Sequence, residues 1–243
     1  MENAIEQWDD SVVLDATALA AGLILENGGE TFRAEETAVR ICCAGNYNES
    51  EIVALTTGIF ITLVKGETSY KTRVRRIRRR AVDLRVLDAV NTISRDLSSG
   101  SIDFKAALKM LAELQKKKHR CFHLLRYSAY SAFACAIFTL VYGGGIFDCA
   151  VAFVCGALLQ VLSSSFSKIN IYPLATAFFG SAMVSVIATL SHTLLGMGSV
   201  EKIMVGAIIP LLPGLATTNA IRDTIMGDLI SGSARFTDRK SVV

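Results

Sequence analysis

Charge is almost absent from one long stretch of this chain, and that absence limits the fold more than any other feature. Between Tyr127 and Ile221 the charged residues are Asp148, Lys168, Glu201 and Lys202, which leaves four uncharged runs at 127–147, 149–167, 169–200 and 203–221. A membrane-crossing helix needs about 20 mostly apolar residues, and each run is of that order or longer. We expect helices near 125–143, 146–164, 172–191 and 200–213, with Ser191, His192, Gly196, Met197, Gly198 and Ser199 forming the exit loop of the third. Buried helices of a soluble core are the competing reading, but four apolar runs separated by one or two charges fit a membrane better.

The remaining charge is strongly polarised. Residues 1–64 hold two basic and eleven acidic residues, residues 65–126 hold seventeen basic and six acidic ones, and the net +3 of the whole chain conceals both. Arg120 and Arg126 stand directly before the first apolar run, with Lys116, Lys117 and Lys118 just upstream. Basic flanks stay in the cytoplasm, so the amino-terminal part is expected there, and Lys168, Arg222 and Arg235 fall on the same side after even-numbered spans. Met1 to Asp15 is acidic and lacks the apolar core of a removable signal peptide. The domains read as 1–122, a cytoplasmic α+β domain; 123–232, an all-α multi-pass membrane domain; and 233–243, a short polar tail.

Within the first domain, Leu14, Ala18, Ala21 and Leu25 form one stripe of a helix over 13–27, stopped by Gly28-Gly29. A second helix begins at Glu30 or Thr31 and ends near Gly45-Asn46. Strands follow at 52–56, 59–64 and 68–77, where the period changes to two. Helices return over 82–97 and 104–116, the latter with Asp103 as N-cap. The cluster from Arg73 to Arg80 could neutralise phosphate, but packing against the acidic segment or contact with membrane lipid accounts for it as well. No nucleic-acid partner is expected.

No Walker, GxSxG or HExxH motif occurs, and no cofactor or catalytic residue is expected. The six cysteines show no CxxC spacing and read as free thiols. His119 and His123 share a helix face, yet lysines surround them and no carboxylate is near, so no metal site is assigned. Gly143-Gly144-Gly145 reads as a tight turn between two spans. The informative segment is Ile209-Pro210-Leu211-Leu212-Pro213-Gly214, followed by Thr217-Thr218-Asn219-Ala220-Ile221-Arg222-Asp223, Gly227-Asp228 and Gly232. A helix broken at membrane depth marks a substrate or ion site. If the helix breaks at Pro210 to Gly214 and restarts near Thr217 or Thr218, the new amino terminus favours a carboxylate, with Pro213 and Gly214 at the break beside it, Asn219 on the first turn and Thr218 and Arg222 one turn apart on one face. Asp223 and Asp228 are candidates for a coupling proton. Glu30, Arg33, Glu35 and Glu36 form a possible gate, or a solvated face with local ion pairs. Gln160, Asn170 and His192 are further polar candidates within the spans.

The segment from Leu19 to Thr37 (LAAGLILENGGETFRAEET), taken with the signature from Pro213-Gly214 to Gly232, resembles the threonine/serine exporter family over nearly the whole chain. The resemblance implies a cytoplasmic domain followed by membrane helices in a bacterial inner membrane. It further implies export of threonine, serine or a dicarboxylate such as succinate, driven by the proton-motive force. Single-chain members carry a second membrane half, so this chain looks like the larger subunit of a split, succinate-exporter-like pair whose small all-membrane partner supplies it. The family's fifth helix is not seen after Gly232. A membrane-tethered hydrolase, or a non-transporting scaffold or regulator, are the alternatives from other functional classes.

Overall fold

The computed structural model describes residues 8–47, 49–65, 69–78, 81–116, 124–169, 173–212 and 214–237. It is mostly helical, with one small sheet, and its described residues group into two compact units: 8–116 with 215–237, and 124–214.

In the first unit α1 (Asp10–Glu26) is the central element. Asp9 caps it by accepting from the Ser11 N–H at 3.2 Å. Its residues from Ala16 to Leu25 are all buried, so the single apolar stripe read from the sequence understates it. Ala16, Ala18, Ala20, Ala21 and Gly22 give little hydrophobic signal, yet their small size lets neighbours approach on every side. Against α1 pack α2 (Thr31–Ala44), α3 (Leu84–Ser98) and α4 (Phe104–Lys116), which bury Ile41, Val90, Phe104 and Leu111.

The sheet is an antiparallel meander of β1 (Ser50–Leu55), β2 (Gly58–Lys65) and β3 (Ser69–Arg76). Its register pairs Ala54 with Ile59, and Ile59, Ile61 and Leu63 with Arg75, Arg73 and Lys71. Alternation then sends Ile59, Ile61 and Leu63 into the core and leaves Val53, Phe60 and Val74 on the outer face. The β3 cations on the inner side meet the acids of α1: Lys71 to Asp10 at 2.7 Å, Arg73 to Asp15 at 2.8 Å and Arg75 to Glu26 at 3.3 Å. An ideal Cβ at Gly22 would lie 2.3 Å from Arg75 Nε, so only glycine lets that guanidinium lie on the helix. Three members of the basic strand therefore complement the acidic helix. Arg79 and Arg80 lie outside the described residues, as do Asn170, His119, Cys121 and His123.

The second unit contains α5 (Leu124–Val141), α6 (Ile146–Lys168), α7 (Pro173–Leu195) and α8 (Val200–Ile208), the last continued by a 3₁₀ turn, Ile209–Leu211. Among the described residues three helices are long and apolar enough to cross a membrane, or four if α8 with its turn is counted together with α9 (Gly214–Ile225) as one interrupted span. Val200–Leu211 alone rises only about 18 Å, against about 30 Å of hydrocarbon. The expected fourth span at 200–213 is thus too short by itself.

Small residues set the packing here. At Gly156 an ideal Cβ would stand 2.7 Å from Cys135 Sγ, and at Gly206 one would stand 2.7 Å from the Thr139 backbone nitrogen. Asp148, 5% exposed, ties two loops together: its Oδ2 accepts from Gly145 N–H and its Oδ1 from Ser199 N–H, both at 2.8 Å. The expected Gly-rich turn is present, with Gly143 at φ +78°. Ser191 and His192, expected in the exit loop, lie in α7, which continues to Leu195; His192 is exposed, and its Nδ1 lies 2.9 Å from the Gly198 carbonyl of the loop that follows. The described cysteines are free.

Candidate functional site

The charges flagged at the two ends of the chain meet in the first unit. Between α1 and α2 the chain turns through Gly28, at φ +84°, and Gly29, where a Cβ would lie 2.9 Å from the Ile24 carbonyl oxygen. Glu30 then enters α2 with extended backbone and makes no capping bond of its own. That leaves turn carbonyls and the first N–H groups of α2 in need of partners.

The carboxy-terminal helices supply them. Asn219 of α9 donates from Nδ2 to Gly28 O at 2.8 Å, and Arg235 of α10 (Leu229–Thr237) donates from Nη2 to Gly29 O at 2.8 Å. Asp223 is fully buried; its Oδ2 accepts from Arg235 Nε at 2.6 Å and its Oδ1 lies 3.4 Å from the Thr31 nitrogen. It sits at the positive end of the α2 dipole and substitutes for the missing cap. Arg222 donates from Nη1 to Glu30 Oε1 at 2.7 Å, and its guanidinium lies 5.1 Å from the centre of the Phe32 ring. The Arg222 side chain remains 52% exposed whereas that of Glu30 is 10% exposed, so one side of the guanidinium is open to solvent.

The other expected residues lie around this junction with different jobs. Arg33 approaches Glu30 Oε2 at 3.5 Å while half exposed, a weak surface pair. Glu35 accepts from the Ala54 N–H at 2.7 Å and so ties α2 to β1. Burial pushes the Glu35 carboxyl above its ordinary range, with the negative charges of Asp228 and Asp223 adding to the shift. Glu36 pairs with Arg40 at 2.7 Å on an exposed face. Asp228 caps α10, accepting from the Ser231 N–H at 3.0 Å.

Two expectations change. The helix after the break begins at Gly214 rather than near Thr217 or Thr218, and Leu212 takes the extended conformation usual before proline. Asn219 therefore lies in the second turn of α9, where it bonds the Gly28 carbonyl instead of standing beside the helix amino terminus. Thr218 is exposed on α9, Gly214 opens it, and Pro213 lies outside the described residues. Residues 233–237, read as polar tail, are the second half of α10, and Arg235 was missed as a site residue. Its signal was present: Asp228 ahead of Leu229-Ile230 is a helix start, and Arg235 falls one turn beyond Ser231.

The family model described as "Putative threonine/serine exporter" (ThrE) matches residues 15–239, a range that takes in both the α1–α2 turn and α9–α10. The chain belongs to the threonine/serine exporter family. No curated protein and no solved structure matches it. In this exporter-family chain the two segments that carried the resemblance are joined by the Asn219–Gly28, Arg222–Glu30 and Asp223–Thr31 contacts.

Proposed function

We propose that this protein is the larger subunit of a split exporter that moves a small carboxylate-bearing metabolite, threonine, serine or succinate, out of a bacterial cytoplasm. The observation that carries the substrate side is the Arg222 guanidinium. It grips a carboxylate at 2.7 Å, is backed by Phe32 and stays half open to solvent. Glu30 holds the position a substrate carboxylate takes, and the substrate displaces it, since a bidentate arginine–carboxylate pair is among the stronger polar contacts.

Transport draws on the proton-motive force. Of the two aspartates first considered, Asp223 is committed to Arg235 and the α2 amino terminus, so the coupling proton is carried by Asp228 or by Glu35, whose environment favours the protonated form. The amino-terminal unit faces the cytoplasm, and a small all-membrane partner supplies the other transmembrane half.

The test is efflux of preloaded labelled serine, threonine and succinate from cells expressing this chain alone and with the all-membrane protein encoded beside it. Export that needs the partner, collapses with a protonophore and is lost in Arg222→Ala supports the reading. Wild-type efflux in Arg222→Ala removes that residue from the substrate site, and no efflux from either arrangement, with both chains inserted, removes the transport function.

A further inference from the structure

Several hydroxyl groups in the apolar helices of the second unit satisfy themselves. Thr139, Ser165, Ser185 and Thr193 each donate to the carbonyl four residues earlier, at 2.8 to 2.9 Å, the usual way a serine or threonine is accommodated in such a helix. Ser128 and Ser131 of α5 do not. Ser128 is 8% exposed, and its hydroxyl finds no partner among the described residues. The buried Ser131 hydroxyl has only the Cys135 thiol beside it, a weak hydrogen-bonding group.

Both lie on the seam between α5 and α6. A Cβ at Gly156 would stand 2.7 Å from Ser131 O and 2.9 Å from Ala132 Cα, so that turn of α5 rests directly on Gly156. The two helices form an antiparallel hairpin, and the next turn toward the start of α5, with Ser128, falls opposite the next turn toward the end of α6. Helical spacing from Gly156 puts Gln160, Ser163 and Ser164 on that face. All three are half-buried, and none of their side chains hydrogen-bonds to another described residue.

Lipid cannot satisfy these groups, and polar side chains left unpaired inside a membrane are costly. Water or a polar solute can. No Lys, Arg, Asp or Glu occurs in 127–147 or 149–167, Arg126 and Lys168 standing just outside the two runs, so a net charge further along the seam, at Ser131, would lack a counter-ion. We infer that Ser128, Ser131 and Gln160 line a passage through the second unit for a small hydrogen-bonding solute of no net charge. The inference rests on the exporter reading but not on the role given to Arg222.

The test places single cysteines at Ser128, Ser131 and Gln160, and at Ile137 on the outward side of α5 (58% exposed), in a chain whose six native cysteines are replaced by serine. A membrane-impermeant methanethiosulfonate is expected to modify Ser128→Cys and Gln160→Cys about tenfold faster than Ile137→Cys, and serine, unlike succinate, is expected to slow that reaction. Rates equal to Ile137→Cys, or no slowing by serine, overturn the passage; equal slowing by succinate overturns its charge class. Should the cysteine-free chain not insert, Ser128→Val with Gln160→Leu in the native-cysteine chain reads the same seam. Serine efflux about tenfold lower than wild type supports the passage, and unchanged efflux overturns it. An accessible, serine-protected seam together with wild-type efflux in Arg222→Ala would retire the Arg222 reading and keep this one.

Discussion

Arg235 and Asp223 form the most buried ion pair described, with side chains 10% and 0% exposed. Arg235→Ala would strand a carboxylate in the core and free the Gly29 carbonyl. It is expected to cost about 3–5 kcal/mol, and the double variant Asp223→Ala/Arg235→Ala less than the sum of the two single changes, measured by denaturant unfolding of the purified chain. Glu35 gives a pH dependence of definite sign. Its folded-state proton affinity exceeds that of an ordinary carboxyl at 4.5, so its contribution to stability is full below that pH and is lost as pH rises through the folded value. Glu35→Gln, which keeps an acceptor for Ala54 N–H, is expected to flatten that part of the unfolding-midpoint profile. Apart from Arg235, these residues were legible as a set of candidates but not as pairs. Arg222 and Glu30 are 192 positions apart, and no local period links them.

At the scale of elements, glycines decide how closely helices approach. Gly156→Ala presses a methyl group against Cys135 and the α5 backbone, and Gly232→Ala would put one 2.1 Å from Thr224 Oγ1 and 2.9 Å from the Ala220 carbonyl oxygen. Each is expected to cost about 1–3 kcal/mol. Gly214→Ala, which opens a helix with nothing within 4 Å of the new methyl, should be neutral; thermal unfolding in detergent ranks the three. Element order up to residue 116 was readable because composition and periodicity are local properties: β-branched runs at 52–56 and 59–64 and alternation over 68–77 gave three strands, and the caps gave helix ends. The burial of α1 on every side was not readable. Alanine and glycine allow close packing without announcing it, and only the arrangement of α2, α3, α4 and the sheet around α1 uses that permission.

For the whole molecule, the proposed topology puts the amino-terminal unit in the cytoplasm, as the basic flank before α5 favours. Cys43 is exposed on α2 while Cys42 beside it is buried. An impermeant thiol reagent applied to intact cells is expected to leave Cys43 unmodified and to reach it after permeabilisation, the Cys43→Ser variant identifying its share of the signal. Modification from outside would invert the topology and with it the direction assigned to transport.

The sequence alone determined what depends on neighbours along the chain: the apolar runs of the membrane helices, the strand meander, the helix breaks at glycine and proline, and the two motifs that mark the family. Tertiary structure decided what depends on the path between distant segments. It gave Asp223 to Arg235 and Asn219 to the α1–α2 turn, set Glu30 against Arg222, and left the Ser128 hydroxyl without a partner among the described residues. A hydrogen bond acts only over about 3 Å, so which charges and hydroxyls meet is settled by where folding brings the backbone and not by their order in the chain.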